Sequence, residues 1–268
     1  MKKKARNPTV APPTINLQEA IDARLAEGRI PRFGPLIVLV ARSGFILVAQ
    51  GLTLLLFFFL KVPDAAVYIR NWWPIYGTLV DLGCLGLLYY LTRREGIRLF
   101  DLVGFVKGRI IKDIFLGLGL FILIFPATIF IGGALGQLII YGELNPTFPE
   151  YGFMHLLPLI PLLYARLIWW MIWSATEEMT YNGYALPRLI AITGSRTLSV
   201  AAVAFFFALQ HSFLMLAGWQ FGIYLFITFV PLSVAMLLAY LRIRRLPPLI
   251  VAHYLMDLSN VWFLYQVG

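Results

Sequence analysis

Three small groups of ionisable residues in the second half of the chain have the types and spacing that general acid–base chemistry requires. They are the adjacent pair Glu177 and Glu178, the single residue His211, and His253 followed four positions later by Asp257. Each lies in a strongly apolar run, and a charged group at the centre of a bilayer costs at least about 2.5 kcal/mol, so such groups are usually functional. A desolvated glutamate is suited to accept a proton near neutral pH, and histidine can assist it.

Helical spacing would let these groups act together. Residues four apart share a helix face, so Asp257 can orient or charge-stabilise His253, and Phe207 can wall the site beside His211. Adjacent glutamates project about 100° apart, so we expect one to face the reaction centre and the other to hold a neighbouring group. At 1.5 Å per residue the groups lie roughly 9 to 20 Å from the cytoplasmic helix ends, which predicts one water-filled cavity that opens inward.

Composition indicates that a membrane bundle positions these groups. Hydrophobic residues make up 60% of the chain and charged residues 13%, whereas soluble domains have about 45–50% and 25%. Apolar runs long enough to span a bilayer recur, and lipid forces such runs to be helical. The predicted fold class is therefore all-α, a polytopic transmembrane helix bundle. The predicted spans are 38–60, 71–92, 111–140, 155–186, 197–217, 219–241 and 248–266, and an eighth arises if 155–186 divides.

The net charge of +9 does not require a nucleic acid partner, because its distribution follows the membrane. Eight Lys and Arg residues lie in the tail through Arg42, six at 93–112 and three at 242–245, whereas the opposing loops hold only Lys61 and Arg70. The positive-inside rule then places the N-terminus in the cytoplasm and the C-terminus outside. The absence of a targeting sequence favours a bacterial cytoplasmic (inner) membrane.

The chain divides into three predicted parts. Residues 1–37 form a polar cytoplasmic tail, residues 38–154 hold the first transmembrane helices, and residues 155–268 form the catalytic core. A helix candidate at 16–27, capped by Asn16, would either lie on the membrane surface or form only transiently in a disordered tail.

Other polar and small residues in apolar runs have structural interpretations. We expect His155 to be interfacial, and Asp81 and Arg166 either to pair with other spans or to reach the interface. Gly132 and Gly136 form a G-x-x-x-G pattern, which favours close helix packing within the chain over a dimer contact.

The motifs resemble those of a known family. Its patterns EExxxR, FxxxH and Hxxx followed by Asn or Asp correspond here to Glu177-Glu178-x-x-Tyr181-Asn182, Phe207-x-x-x-His211 and His253-x-x-x-Asp257. In order, spacing and placement on apolar helices, the segment 155–265 is similar to the CAAX prenyl endopeptidase and bacteriocin-processing family, also called the Abi or CPBP family.

The resemblance implies an intramembrane endopeptidase acting on a hydrophobic or lipidated peptide or protein. Glu177, within the Glu177-Glu178 pair, would activate water with help from His211, while His253 and Asp257 would stabilise the oxyanion. Family members are also described as metalloproteases, so the alternative is a divalent metal such as zinc held by Glu177, His211 and His253.

One departure from the family pattern keeps other functions open. Asn182 stands where the motif has arginine, so either Arg188 or another basic residue substitutes, or the glutamates titrate differently, or activity is weaker. Asn182 favours a non-proteolytic immunity or regulatory protein that binds a peptide or partner. A small transporter with a proton relay is a third interpretation, for which no internal repeat is found.

Overall fold

The structure is a computed structural model that describes residues 15–146, 157–214 and 218–266. These residues are predominantly helical and contain no β-strand, as the composition predicts. The helical segments are α1 (Gln18–Ala26), α2 (Gly34–Phe59), α3 (Ala65–Glu95), α4 (Ile110–Tyr141), α5 (Leu159–Thr193), α6 (Arg196–His211), α7 (Trp219–Ile243) and α8 (Pro247–Gln266).

Five of these helices are long and apolar enough to cross a membrane, namely α2, α3, α4, α5 and α7. The other two predicted spans, 197–217 and 248–266, correspond to α6 and α8, which are not among the five. With 16 residues, α6 is about 24 Å long at 1.5 Å per residue, shorter than a hydrocarbon core of about 30 Å. The count of seven spans and the cytoplasmic N-terminus therefore stay predictions.

Helix α5 is one continuous helical run through most of the predicted span 155–186, which the sequence allowed to divide. It has 35 residues and gives one candidate span, while the number of times it crosses the membrane stays a prediction. Two π-helical stretches, Ala165–Trp169 and Met179–Ala185, change its phase without breaking it. Single π-helical turns are rare and occur frequently at functional sites, and the second stretch begins directly after Glu178.

The first helix is docked on the protein. In α1 the side chains of Ile21 and Arg24 are buried, and the helix contacts the C-terminal part of α5. The predicted cap is wrong, because Leu17 precedes the helix and the Asn16 amide donates instead to the carbonyl of Leu102 at 3.1 Å. His155 lies outside the described residues.

Glycines allow two close helix contacts. A Cβ on Gly132 would overlap the backbone carbonyl of Thr228, and one on Gly136 would lie 2.9 Å from the Tyr224 ring. Both partners belong to α7, so the G-x-x-x-G pattern serves packing within the chain, as predicted.

The apolar core forms two clusters, and the polar site lies where they meet. One cluster contains Trp73 and Trp169, whose ring centroids are 4.8 Å apart, together with Trp173. The other contains Phe207 and apolar side chains of all the helices from α2 to α8. Arg42 stacks on Trp173 at 4.0 Å, and the His253 ring lies 6.1 Å from that of Phe207, so charged groups contact both clusters.

Substitution of Gly77 by alanine is expected to destabilise the protein by about 1–3 kcal/mol, because the new methyl group would overlap the Trp169 ring. Gly86→Ala on the same helix is the matched control, since nothing lies within 4 Å of its Cβ position. That change should be neutral or stabilising by about 0.5–1 kcal/mol. Thermal unfolding in detergent measures both; equal midpoints for the two variants would contradict the packing of α3 on Trp169.

Candidate active site

The two glutamates lie deep in the protein on the last turn of α5 before its second π-helical stretch. Their exposed fractions are 0% for Glu177 and 1% for Glu178, and those of His211 and His253 are 4% and 3%. Groups this buried need partners, because an unpaired charge in an apolar interior is very costly. The partners therefore define what each group can do.

Glu177 is held through one carboxylate oxygen. Its Oε1 accepts a hydrogen bond from the Gln210 amide at 2.6 Å and lies 3.2 Å from Nη2 of Arg42. Its Oε2 is buried without a hydrogen bond and lies 3.3 Å from Nε2 of His253. The carboxylate thus has one anchored oxygen and one that is available.

Glu178 also faces His253, but on the other nitrogen. Nδ1 of His253 donates to Glu178 Oε1 at 2.9 Å, and the Asn182 amide donates to Glu178 Oε2 at 2.6 Å. The two glutamates therefore do not meet at one atom, as their helical offset predicts, yet they bracket the same imidazole ring. Asn182 supports Glu178 through a neutral hydrogen bond where an arginine would add charge.

His253 and Asp257 are neighbours on α8, as their spacing predicts. Nε2 of His253 lies 3.7 Å from Oδ2 of Asp257, which is an electrostatic contact rather than a hydrogen bond. That oxygen is buried without a hydrogen-bond partner in the described part of the chain. Both nitrogens of His253 therefore face carboxylate oxygens.

His211 occupies the aromatic side of the site. Its Nδ1 donates to the carbonyl of Phe207 at 2.7 Å, and its ring stacks on Phe229 at 3.7 Å. Phe207 walls the site as predicted, with its centroid 5.0 Å from His211. The hydrogen bond to Glu177 comes from Gln210, the residue before His211, and not from His211 itself.

Two residues of the site were missed by sequence reasoning. Arg42 was counted among the basic residues of the tail, although its side chain is fully buried and pairs with both Glu177 and Asp81 at 3.2 Å. The available signal was its position within the apolar run of α2. Gln210 gave no signal beyond its place next to His211.

Arg188 does not substitute for the motif arginine. Its guanidinium binds Glu95 of α3 through two hydrogen bonds of 2.5 and 2.7 Å. Its Nη1 also donates to the carbonyls of Gly183 and Tyr184, which belong to the π-helical stretch. Arg188 therefore stabilises the backbone that follows the glutamate pair and does not touch the pair itself.

The residues suggested as zinc ligands do not fit a metal in this arrangement. The described residues contain no group of three or more His, Cys, Asp or Glu side chains that could hold a metal ion. A ligating histidine must offer a nitrogen lone pair. His211 keeps one on Nε2, because its Nδ1 donates to Phe207, whereas both nitrogens of His253 are directed at carboxylates.

The comparison with protein families agrees with the motifs. A family model described as type II CAAX prenyl endopeptidase Rce1-like matches residues 158–259. This segment is an Rce1-like domain. It includes all five predicted catalytic residues together with Gln210, whereas Arg42, Asp81 and Glu95 reach the Rce1-like domain from the helices that precede it. No curated protein and no solved structure matches the chain.

Proposed function

We propose that the chain is an intramembrane endopeptidase that hydrolyses a peptide bond in a hydrophobic or lipidated substrate, with prenylated peptides of the CAAX type as the first class to test. The observation that carries the proposal is the buried Oε2 of Glu177, which has no hydrogen bond and faces His253 at 3.3 Å. A carboxylate oxygen with no other partner is suited to bind and deprotonate a water molecule.

The reaction follows from the positions of these groups. Glu177 removes a proton from water, whose oxygen attacks the scissile carbonyl carbon. An N–H of His253, whose ring Glu178 orients, donates to the oxyanion that forms. The C–N bond then breaks, Glu177 returns its proton to the leaving nitrogen, and the products are a carboxylic acid and an amine, which ionise when they reach water.

His211 and Asp257 have supporting parts in this proposal. Nδ1 of His211 is occupied by the Phe207 carbonyl, so its Nε2 is the nitrogen that can hold the attacking water. Asp257 lies 3.7 Å from His253 and contributes electrostatically to the orientation of that ring. Because the catalytic side chains are almost fully buried, we expect the surrounding helices to separate when substrate enters.

The environment of the substrate is the bilayer. Large apolar side chains remain exposed on the outer faces of the bundle, among them Phe58 and Leu123 at 73% and 75%. Such faces are stable in contact with lipid and would accommodate a prenyl chain that reaches the site from the membrane. We propose that the site opens toward the cytoplasm, as the distribution of basic residues indicates.

A non-proteolytic regulatory protein is the second candidate, and Asn182 is the observation that favours it. A neutral amide beside Glu178 leaves that carboxylate without the motif's cation. The two candidates differ in one measurable product, namely new peptide termini.

The test uses the full chain in lipid vesicles with a farnesylated CAAX peptide and the same peptide without the lipid. Mass spectrometry of the products should show cleavage of the lipidated peptide. If neither that peptide nor proteins in membranes of a host lacking the gene acquire new termini, the peptidase proposal is wrong and the regulatory function is favoured.

His253→Gln is expected to lower kcat about 10²-fold, because glutamine can hydrogen-bond Glu178 but cannot present two ring nitrogens between two carboxylates. Initial rates with the cleaved peptide measure the effect. His253 variants that retain wild-type kcat would remove this residue from the mechanism while leaving Glu177 to be tested separately.

A further inference from the structure

Arg42 connects the first transmembrane helix to the proposed general base. It lies on α2, outside the matched residues 158–259, and its side chain is fully buried. Its Nη2 lies 3.2 Å from Oε1 of Glu177. An arginine in this position supplies a permanent positive charge to a carboxylate that would otherwise be alone in an apolar interior.

Several contacts hold the Arg42 guanidinium in place. Its Nε donates to Oε1 of Gln210 at 2.6 Å, its Nη2 lies 3.2 Å from Asp81, and its Cζ lies over the Trp173 ring, 4.0 Å from the centroid. A planar fork held by hydrogen bonds and stacking has little freedom to move. Arg42 can therefore set the position of whatever it binds.

Arg42 and Gln210 act on the same oxygen of Glu177. Both bind Oε1, at 3.2 and 2.6 Å, and neither binds Oε2. The other carboxylate oxygen remains directed toward His253 without a hydrogen bond. The anchored oxygen thus determines which oxygen is left to accept a proton.

Two other buried arginines in the second half of the chain are engaged elsewhere. Arg188 binds Glu95 through two hydrogen bonds, and Arg245 binds Asp113 through bonds of 2.8 and 2.7 Å. Asn182, where the motif has arginine, donates only to Glu178. The cation that contacts Glu177 therefore comes from α2.

We propose that Arg42, together with Gln210, is the positioning residue of the general base and supplies Glu177 with a cation, whereas Asn182 gives Glu178 only a neutral partner. It holds Glu177 Oε1 so that Oε2 faces the attacking water. The inference rests on the proposed hydrolysis and adds that the N-terminal helices, outside the Rce1-like domain, complete its site.

The test compares Arg42→Gln, Arg42→Lys and Gln210→Met with the wild type, as full chains in vesicles with the farnesylated CAAX peptide. Arg42→Gln should lower kcat about 10²-fold and change KM less than about 3-fold, since the base is misplaced but the substrate contacts remain. Arg42→Lys keeps the charge, so its kcat should be at least about 10-fold higher than that of Arg42→Gln. Gln210→Met should lower kcat about 10-fold relative to the wild type.

Arg245→Gln is the matched control, because it also breaks a buried arginine–carboxylate pair, that with Asp113, away from the glutamates. It should lower the unfolding temperature and retain wild-type kcat and KM. If Arg42→Gln fails to fold, Arg42→Lys and Gln210→Met decide. Wild-type kcat in both of these, or a loss confined to KM, would overturn the inference.

A parallel Glu177→Gln measurement separates this inference from the proposed function. If Glu177→Gln is inactive while Arg42→Lys and Gln210→Met are fully active, the proposed hydrolysis is retained, but Arg42 and Gln210 do not position its base. An active Glu177→Gln would instead remove the general base, and Arg42 would have nothing to position.

Discussion

Glu177→Gln is expected to lower the hydrolysis rate by about 10³–10⁴-fold while leaving the fold intact. Glutamine has the same shape and can still contact Gln210 and Arg42 through its amide oxygen, but its amide nitrogen cannot accept the proton of the attacking water. The rate constant with the farnesylated peptide, measured at equal protein concentration, gives the effect directly.

The control for Glu177→Gln is Glu143→Gln, which makes the same change at an exposed glutamate and should behave as the wild type. Circular dichroism and gel filtration in detergent should show the same helix content and size for both variants. A second comparison expresses wild type and Glu177→Gln at equal levels in native membranes that lack the gene. Identical peptide termini from both would show that Glu177 is not the base.

The local part of the site could be predicted because helices impose their own geometry. His253 and Asp257, like Phe207 and His211, are four residues apart, and the structure brings each pair into contact. Helical periodicity alone decides such contacts. The same holds for the offset of the two glutamates, although their convergence on one histidine ring depends on where α8 packs.

The non-local part could not be predicted because it depends on how distant helices pack. Arg42 contacts Gln210 across 168 positions, and Arg188 contacts Glu95 across 93. The sequence placed Arg42 in the positive-inside count and offered Arg188 as one possible partner of the glutamates, since proximity in the chain was the available information. Asp81, for which pairing with another span was one of the expectations, does pair with Arg42.

The membrane helices also have local features that the sequence predicts and tertiary features that it does not. Hydropathy placed the runs that became α2, α3, α4, α5 and α7, because apolar length is a local property. Hydropathy did not predict the π-helical stretch at Met179–Ala185. Two carbonyls of this stretch accept hydrogen bonds from Arg188, whose side chain is held in place by another helix. The geometry after Glu178 is therefore a tertiary feature.

The clamp between Arg188 and Glu95 makes this dependence testable. Both side chains are fully buried, and Arg188 also binds the carbonyls of Gly183 and Tyr184 in the π-helical stretch. Arg188→Met is expected to lower the free energy of unfolding by about 3–5 kcal/mol, because Glu95 would remain buried without its main partner. Denaturation in detergent micelles, followed by tryptophan fluorescence, measures the loss.

A double-mutant cycle separates the pair from its surroundings. Glu95→Gln combined with Arg188→Met should be less destabilising than the sum of the single changes, because neither Glu95 nor Arg188 then remains as a buried charge whose partner has been removed. Arg196→Met, at an exposed arginine three positions past Thr193, is the matched control and should lie within about 0.5 kcal/mol of the wild type. If Arg188→Met lies as close to the wild type as that control, the clamp does not hold the backbone behind the glutamates, and the π-helical stretch must be maintained by the packing of α5 alone.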